Sequence, residues 1–370
     1  ALEPPDYCFP ARLEEIAILE MAMRANPRDA RAPYYLGNLL YDRRRHVEAI
    51  RLWERSARLE PGFAIVWRNL GLGCFNISKD PAKARAAYEK AFHAEPGSAR
   101  LLFERDQLWK RLGEKPERRL RELEKFPGLV PQRDDLSLEL CALYNQTGRP
   151  LQAVALLGSR RFHPWEGGEG GPLGQHVRSH LALGRQALAG GDAEQARDHF
   201  QTALCAPSNL GEAKHLLANH SDVHYWLGVA LAALGEKAAA RNQWLAAATF
   251  KGDFQTMSLR AFSEMTYYSA LSWEKLGQKA KAKRLLRDLL AYALKLQKTP
   301  ARIDYFATSL PAMLLFEDDL QSRQETTALF LQGQAWLGLG NHARARKLLA
   351  LVLRRDPNHA PAADLPIRMP

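Results

Sequence analysis

Residues 183–207 read LGRQALAGGDAEQARDHFQTALCAP, and this stretch decides the fold. Apolar residues recur every three to four positions on both sides of Gly191-Asp192, as they do in amphipathic helices. The Gly-Asp pair favours a tight turn between two helices, and Pro207 ends the second of them. Gly184 lets the two backbones approach closely, and the large Phe200 fills the gap between them. The stretch therefore predicts a pair of antiparallel helices.

The same pattern of a small residue, an alanine twelve or thirteen positions later and a large residue soon after it occurs along most of the chain. Clear copies begin at Leu36-Gly37, Leu70-Gly71, Leu183-Gly184, Leu227-Gly228 and Gly333. Weaker copies span 141–153 and 270–282, a degenerate one spans 99–125, and 13–27 has the length of half a repeat. The pattern resembles the tetratricopeptide repeat (TPR), whose period is about 34 residues.

The resemblance implies an all-α fold of the α-solenoid type, because one helix pair cannot bury its apolar face without stacking on the next. We expect one continuous right-handed superhelix that is more than two-thirds helical. The repeats divide it into an N-terminal array (1–127), with few residues between copies, and a C-terminal array (128–370) with long insertions.

Four insertions interrupt the C-terminal repeats: RFHPWEGGEGG (161–171), SNLGEAKHLLANHS (208–221), FKGDFQTM (250–257) and a longer one containing IDYFATSLPAMLLFEDDL (303–320). Each follows the second helix of one repeat and precedes the first helix of the next, so we expect all four along one edge. Acidic and aromatic residues in them suggest a binding surface on a basic chain. The predicted edge residues are His163, Trp165, Glu166, Glu169, Glu212, Asp304, Tyr305 and Asp318. The alternative is that the insertions only adjust the twist of the solenoid.

The glycine-rich insertion lacks the Lys-Ser/Thr of a phosphate-binding loop. Glu166 and Glu169 could act with Asp304 as a general acid and base, contact a ligand, or only hold the loop together. The sequence leaves these three roles open, and we assign no catalytic residue.

The inner face of the first three repeats is a second candidate surface. Its polar and aromatic positions are Tyr34, Asn38, Tyr41, Arg68, Asn69 and Arg100. Grooves of known TPR proteins hold a peptide's terminal carboxylate with Lys and Asn. Tyr34 and Glu104 replace basic residues here, so the sequence argues against carboxylate capture. Tyr34, Tyr41 and Phe75 could still serve as exposed aromatic anchors of a groove. The alternative is that these positions hold only the ordinary consensus residues of the repeat.

Charge and cysteine usage exclude several other classes of site. The net charge is +11, but the Lys and Arg residues are spread over helical segments, so no nucleic acid is expected. The longest apolar run, 226–234, is too short to span a membrane. The four cysteines lie far apart, which suits a reducing cytoplasm without disulfides or a zinc site. The pairs His176/His180 and His220/His224 have ligand spacing, but their positions predict packing, and no metal or cofactor is expected.

Three insertion sequences carry a more specific resemblance. HPWEGGEG, NLGEAKHLL and IDYFATSLPAMLLFEDD, in this order between repeats, resemble a bacterial family that joins a galactose-mutarotase-like β-sandwich to a TPR-rich C-terminal half. The resemblance implies that this chain is that half, and that it binds a partner protein or the companion domain of its own gene product. The alternative is the helical portion of a carbohydrate-active enzyme, whose edge loops complete or cover a sugar site on the β-sandwich. For this chain alone, no enzymatic activity is expected.

Overall fold

The computed structural model describes residue 5 and residues 8–165, 167–255, 258–302 and 314–365. It is 70% helical, which confirms the expected all-α fold class and helical content. The chain forms two compact units. The N-terminal unit comprises Ala1–Leu112 and Leu314–Glu317, and the C-terminal unit comprises Gly113–Met313 and Asp318–Pro370. The predicted division at residue 127 and the continuity of the solenoid stay predictions.

The described part of the N-terminal unit contains six helices, which follow one another through short turns. They are α1 (Glu14–Ala25), α2 (Arg31–Asp42), α3 (His46–Leu59), α4 (Ala64–Asn76), α5 (Pro81–Ala94) and α6 (Ala99–Arg111). Side-chain caps fix where the later helices begin: Asp80 accepts a hydrogen bond from the backbone N–H of Lys83, and Ser98 accepts one from Leu101.

The C-terminal unit contains the remaining described helices and a short hairpin. Its helices are α7 (Pro116–Leu123), α8 (Asp134–Gln146), α9 (Pro150–Gly158), α10 (Gly171–Ala189), α11 (Ala193–Ala203), α12 (Ser221–Ala233), α13 (Lys237–Thr249), α14 (Met265–Lys275), α15 (Lys279–Lys298), α16 (Leu320–Gly338), α17 (His342–Arg355) and α18 (Ala360–Asp364). Single turns of 3-10 helix lie at Val130–Gln132 and Ser208–Leu210. The antiparallel hairpin of β1 (Asp253–Gln255) and β2 (Ser258–Arg260), which the repeats did not predict, follows α13. No helix among the described residues is both long enough and apolar enough to cross a membrane.

Each clear repeat packs as its sequence predicts, with the small residue of the first helix under a large residue of the second. A Cβ atom added at Gly184 would lie 2.4 Å from the Phe200 ring, and one added at Gly228 would lie 2.4 Å from Trp244. The other pairs are Gly37 with Trp53, Gly71 with Tyr88, and Gly333 with Leu349. Any side chain at these positions would push the two helices apart. The small residues therefore recur along the sequence because each lies where two helices are in contact.

The turn expected at Gly191-Asp192 also forms as predicted. Gly191 has a φ of +84°, which a residue with a Cβ rarely adopts. Asp192 then accepts a hydrogen bond from the backbone N–H of Gln195 and begins α11. The second helix of the pair can therefore fold back at once on the first.

The predicted groove residues of the N-terminal unit are more tightly held than expected. Tyr34 is 4% exposed and packs edge-on against Phe63, with ring centroids 5.0 Å apart, so our expectation of an exposed anchor there is wrong. Its ring fills space between α2 and the start of α4, which only the stacking of the two repeats creates.

A network of polar side chains joins the other groove residues. Arg68 donates to both carboxylate oxygens of Glu104, at 2.7 and 2.9 Å, and Arg100 donates to the same group at 2.9 Å. Asn69 donates to the side-chain oxygen of Asn38 at 3.0 Å. These groups already satisfy one another, and Tyr41 is half-buried. A binding role for the six residues stays a prediction.

Candidate functional site

A pocket of about 1230 Å³ lies within the C-terminal unit. Helices α10, α12, α14 and α16 contribute residues to it, and so do three of the inter-repeat insertions and the C-terminal segment around α18. Small-molecule pockets usually measure about 300–1,000 Å³, so this one is large enough for a ligand bigger than a typical metabolite.

The glycine-rich insertion and the following insertion form one wall of the pocket together. The backbone N–H of Phe162 donates to the carbonyl of Asn209 at 2.7 Å. The Asn209 side chain donates in return to the carbonyls of Leu157 and Arg160, at 2.8 and 2.9 Å. The two insertions, separated by a complete repeat in sequence, are therefore held side by side as we expected.

The acids of this wall are used largely to hold its backbone. The Glu212 carboxylate accepts hydrogen bonds from the backbone N–H groups of Gly170 and Leu173, both at 2.7 Å, and so caps the N-terminus of α10. Glu169 accepts a bond from the N–H of Gly167 at 2.9 Å. The Trp165 ring lies directly against Gly168, where an added Cβ would be 1.9 Å from it. Glycine is required there by contact with the ring.

His163 is held from outside the loop. Its backbone N–H donates to the Asp134 carboxylate at 2.8 Å, and its ring Nδ1 lies 3.2 Å from the same oxygen. Asp134 also pairs with Arg160, and this neighbourhood keeps the pKa of Asp134 below its ordinary value although partial burial acts against it.

The second and third insertions continue this wall. The Asn219 backbone N–H donates to Asp253 at 3.0 Å, and its side chain donates to the carbonyl of Gly252 at 2.9 Å. The His215 and Phe254 rings stack with centroids 4.1 Å apart. The β-hairpin thus fixes the end of the 208–221 insertion.

Hydrogen-bond acceptors lie close together on the helical side of the pocket. Asp222, at the start of α12, is 9% exposed. Burial and the neighbouring Glu264 carboxylate raise its pKa to about 7, while Arg185 acts in the opposite direction. Gln334 on α16 is 1% exposed and donates to the backbone carbonyl of Glu264 at 3.2 Å. Its side-chain oxygen is buried and accepts no hydrogen bond from the described residues. We call Asp222, Glu264 and Gln334 the acceptor cluster.

Basic groups of α10 hold the C-terminal segment against another part of the pocket. Arg178 donates to both oxygens of the Asp364 carboxylate, at 2.6 and 2.9 Å, and Arg185 donates to the Asp364 carbonyl at 2.8 Å. Arg178 is therefore paired with the C-terminal segment, whereas Arg185 contacts that segment through a carbonyl and also acts on Asp222. Among the described residues, neither Asp222 nor Glu264 forms an ion pair like that of Arg178 with Asp364.

Four of the eight predicted edge residues meet at this pocket: His163, Trp165, Glu169 and Glu212. Asp318 does not line it and instead pairs with Arg323 at 2.6 Å. Glu166, Asp304 and Tyr305 lie outside the described residues, so the predicted joining of 303–319 to the other insertions stays a prediction.

The acceptor cluster was not predicted from the sequence, although the positions of its three residues within their repeats could have indicated it. Asp222 and Glu264 lie six residues before the small residues Gly228 and Ala270, and Gln334 directly follows Gly333. The position six residues before the small residue and the position directly after it are seven residues apart, so they lie on the same face of a helix. Asn38 of the predicted groove occupies the second of these positions, because it directly follows Gly37. Applying the groove positions to the later repeats would have identified the cluster.

The first histidine pair is packed, as its position predicted, whereas His220 and His224 are half-buried and His220 lines the pocket. His176 and His180 are buried, and His180 Nδ1 lies 3.2 Å from His199 Nδ1. Burial and the neighbouring histidines lower the pKa of His180 to about 4. Among the described residues, no group of three or more His, Cys, Asp or Glu side chains has the arrangement of a metal site.

Known solved structures similar to this chain are distant in sequence. The TPR protein YrrB, with an unusual peptide-binding site, is 17% identical with a TM-score of 0.38, over 50% of this chain and 90% of its own. The structure of Naa15/Naa10 bound to HypK-THB is 16% identical with a TM-score of 0.44, and the match covers 93% of this chain and 56% of that one. A TPR protein from Parabacteroides merdae is 13% identical with a TM-score of 0.34, over 70% and 90%.

Two sequence profiles, both described as tetratricopeptide repeat, match the chain directly. One matches residues 16–72 and 181–255, and the other matches 265–293 and 327–359. Together they cover just over half of the chain, and the matched ranges contain four of the five helix pairs described above, all except that of Gly71 with Tyr88. The chain therefore belongs to the tetratricopeptide repeat proteins.

Proposed function

We propose that this chain is a protein-interaction module that holds a segment of a partner protein in the pocket of its C-terminal unit. The observation that carries the proposal is the pocket itself, about 1230 Å³ in volume, with both helical faces and insertion loops around it. Its size suits a length of polypeptide, and the loops that line it are fixed to one another by hydrogen bonds before any partner arrives.

The chemistry of the acceptor cluster indicates what the partner brings. Two carboxylates and an unsatisfied amide oxygen lie together in a partly dehydrated place, with Arg185 as a positive neighbour of Asp222. A further positive donor would lower the cost of burying these acceptors. A lysine or arginine side chain would supply both the charge and the N–H groups. Asp222 would then ionise readily, because an added positive charge lowers the pKa of a buried carboxyl.

The partner is a separate protein or a companion domain of the same gene product, and both present polypeptide to the pocket. A carbohydrate is the second candidate ligand, and the aromatic residues Trp165 and Phe254 on the pocket wall favour it. A sugar would stack on these rings, whereas a peptide would depend on the acceptor cluster.

Selection from a random heptapeptide library on the immobilised 370-residue chain tests the proposal. We expect selected peptides to be enriched in Lys or Arg, because the acceptor cluster provides charge-assisted hydrogen bonds to them. Selection on the Glu264→Gln variant should lose that enrichment. The matched control is Glu194→Gln, which changes an exposed acid of α11 outside the pocket and should select the same peptides as the wild type.

The proposal fails if the peptides carry no basic residue, or if Glu264→Gln selects the same ones. Binding of neutral oligosaccharides that Trp165→Ala abolishes and Glu264→Gln leaves intact would favour the carbohydrate instead.

A further inference from the structure

The four residues Leu314–Glu317 belong to the N-terminal unit, although they come about two hundred residues after its last helix. Phe316 is 3% exposed and lies edge-on to two aromatic rings, with its centroid 5.1 Å from Phe75 and 5.7 Å from Tyr88. Cys74 and Leu108 complete the same apolar cluster. A buried ring surrounded in this way contributes most of the contact energy of a short segment.

The backbone of the segment is bound as well as its side chain. The Asn76 side chain donates to the Leu315 carbonyl at 3.1 Å and accepts from the Glu317 N–H at 2.9 Å. One amide thus satisfies the polar groups on both sides of Phe316, which is how an amide side chain fixes a peptide independently of its sequence.

Lys79, at the edge of this apolar cluster, contacts the residue that follows Phe316. Lys79 pairs with Glu317, and both side chains are more than half exposed. The Lys79 backbone has a φ of +51°, a conformation uncommon for residues other than glycine, directly beyond the end of α4. We call the group formed by Phe75, Asn76, Lys79, Tyr88 and Leu108 the Phe316 socket.

We propose that the Phe316 socket is a peptide-binding site for a partner segment in which an aromatic residue precedes an acidic one, and that Leu314–Glu317 is the chain's own competitor for it. The socket supplies three separate recognition features: an apolar cavity for the ring, an amide for the backbone and a lysine for the acid. None depends on the peptide being covalently joined to this chain. The Lys79–Glu317 pair is exposed to solvent and weak, so a partner segment with more contacts can displace the chain's own.

The test uses the full chain and a fluorescein-labelled LLFEDD peptide, which copies residues 314–319. Phe316→Ala vacates the socket, and we expect this variant to bind the peptide at least tenfold more tightly than the wild type by fluorescence anisotropy. The wild type binds weakly because its own segment is present at a high effective concentration. Adding Asn76→Ala to Phe316→Ala should remove the gain, and an LLAEDD peptide should bind neither protein.

A charge exchange provides a second test that leaves the apolar cluster intact. Glu317→Lys should also increase the affinity for LLFEDD, because the chain's own segment then repels Lys79. Restoring the pair as Lys79→Glu with Glu317→Lys should weaken binding of LLFEDD again. Circular dichroism checks that each variant keeps its helical content.

Equal affinity of LLFEDD for the wild type, Phe316→Ala and Glu317→Lys would overturn the proposal, and Phe316 would then be core only. The proposal would also be overturned if Phe316→Ala increased the affinity for LLFEDD and the added Asn76→Ala did not reduce that increase. A wild-type chain that elutes as a dimer in size-exclusion chromatography, with Phe316→Ala eluting as a monomer, would make a second copy the occupant and contradict a partner peptide.

Discussion

Replacing Arg119 by methionine is expected to lower the free energy of unfolding by about 3–5 kcal/mol, a cost of the order found when one member of a buried ion pair is removed. Arg119 on α7 is 1% exposed. It donates to Glu139 on α8 at 2.7 Å and to Asn358, which precedes α18, also at 2.7 Å. One guanidinium therefore ties the first helices of the C-terminal unit to its last segment. Methionine has similar bulk but offers neither the charge nor the hydrogen bonds.

Urea unfolding at pH 7, followed by circular dichroism, measures this effect. The matched control is Arg121→Met, which changes an exposed arginine two residues later on the same helix and should shift stability by about 0.5 kcal/mol or less. If Arg119→Met costs less than about 1 kcal/mol, water or another side chain takes over its partners, and the link between α7 and the C-terminal segment is not structural.

The double variant Asp222→Asn with Glu264→Gln is expected to lose about 100-fold or more in affinity for a basic peptide selected on the wild type. Each lost charge-assisted hydrogen bond is worth about 1.5–3 kcal/mol, and the two losses act on one cation. Both changes keep the size of the side chain and an oxygen that can accept a hydrogen bond. Fluorescence anisotropy at pH 8 measures the affinity, and Glu194→Gln again serves as the control. An unchanged affinity would contradict the assignment of the acceptor cluster.

The pH dependence of stability provides an independent test of the role of Asp222. In the folded chain the pKa of Asp222 is raised to about 7 from the ordinary 3.8, mainly by burial and further by Glu264, with Arg185 acting against them. A raised pKa means that the contribution of this group to stability is fully present below about pH 4 and is lost as the pH rises through about 7.

Asp222→Asn should therefore be more stable than the wild type above pH 7, by about 4 kcal/mol at most, and the difference should vanish near pH 4. The affinity of the wild type for the basic peptide should rise between pH 6 and 8 as Asp222 ionises, and that of Asp222→Asn should not. Parallel pH profiles for the two proteins would show that Asp222 does not titrate in this range.

The helix pairs could be predicted from the sequence because their determinants are local. A small residue and a large one sixteen or seventeen positions later, such as Gly184 and Phe200, meet across a single turn whose length is fixed by Gly191-Asp192. Within one helix, residues seven positions apart share a face, so even the acceptor cluster could be predicted from its register. Helical periodicity, which extends over a few turns, is sufficient for both.

The roles of the loop and groove residues depended on contacts that no local pattern encodes. Glu212 looked like a free acid in the sequence, yet it caps α10 by a bond to a residue 42 positions earlier. Tyr34 lies at a groove position but is buried, since its ring meets Phe63 of the next repeat. Phe316 joins a unit whose other residues end at Leu112. Sequence alone determined the repeat, its turns and its inner-face register. Only the stacking of repeats decided which polar groups remain available, because a carboxylate or ring is satisfied by whatever the three-dimensional packing brings within bonding distance.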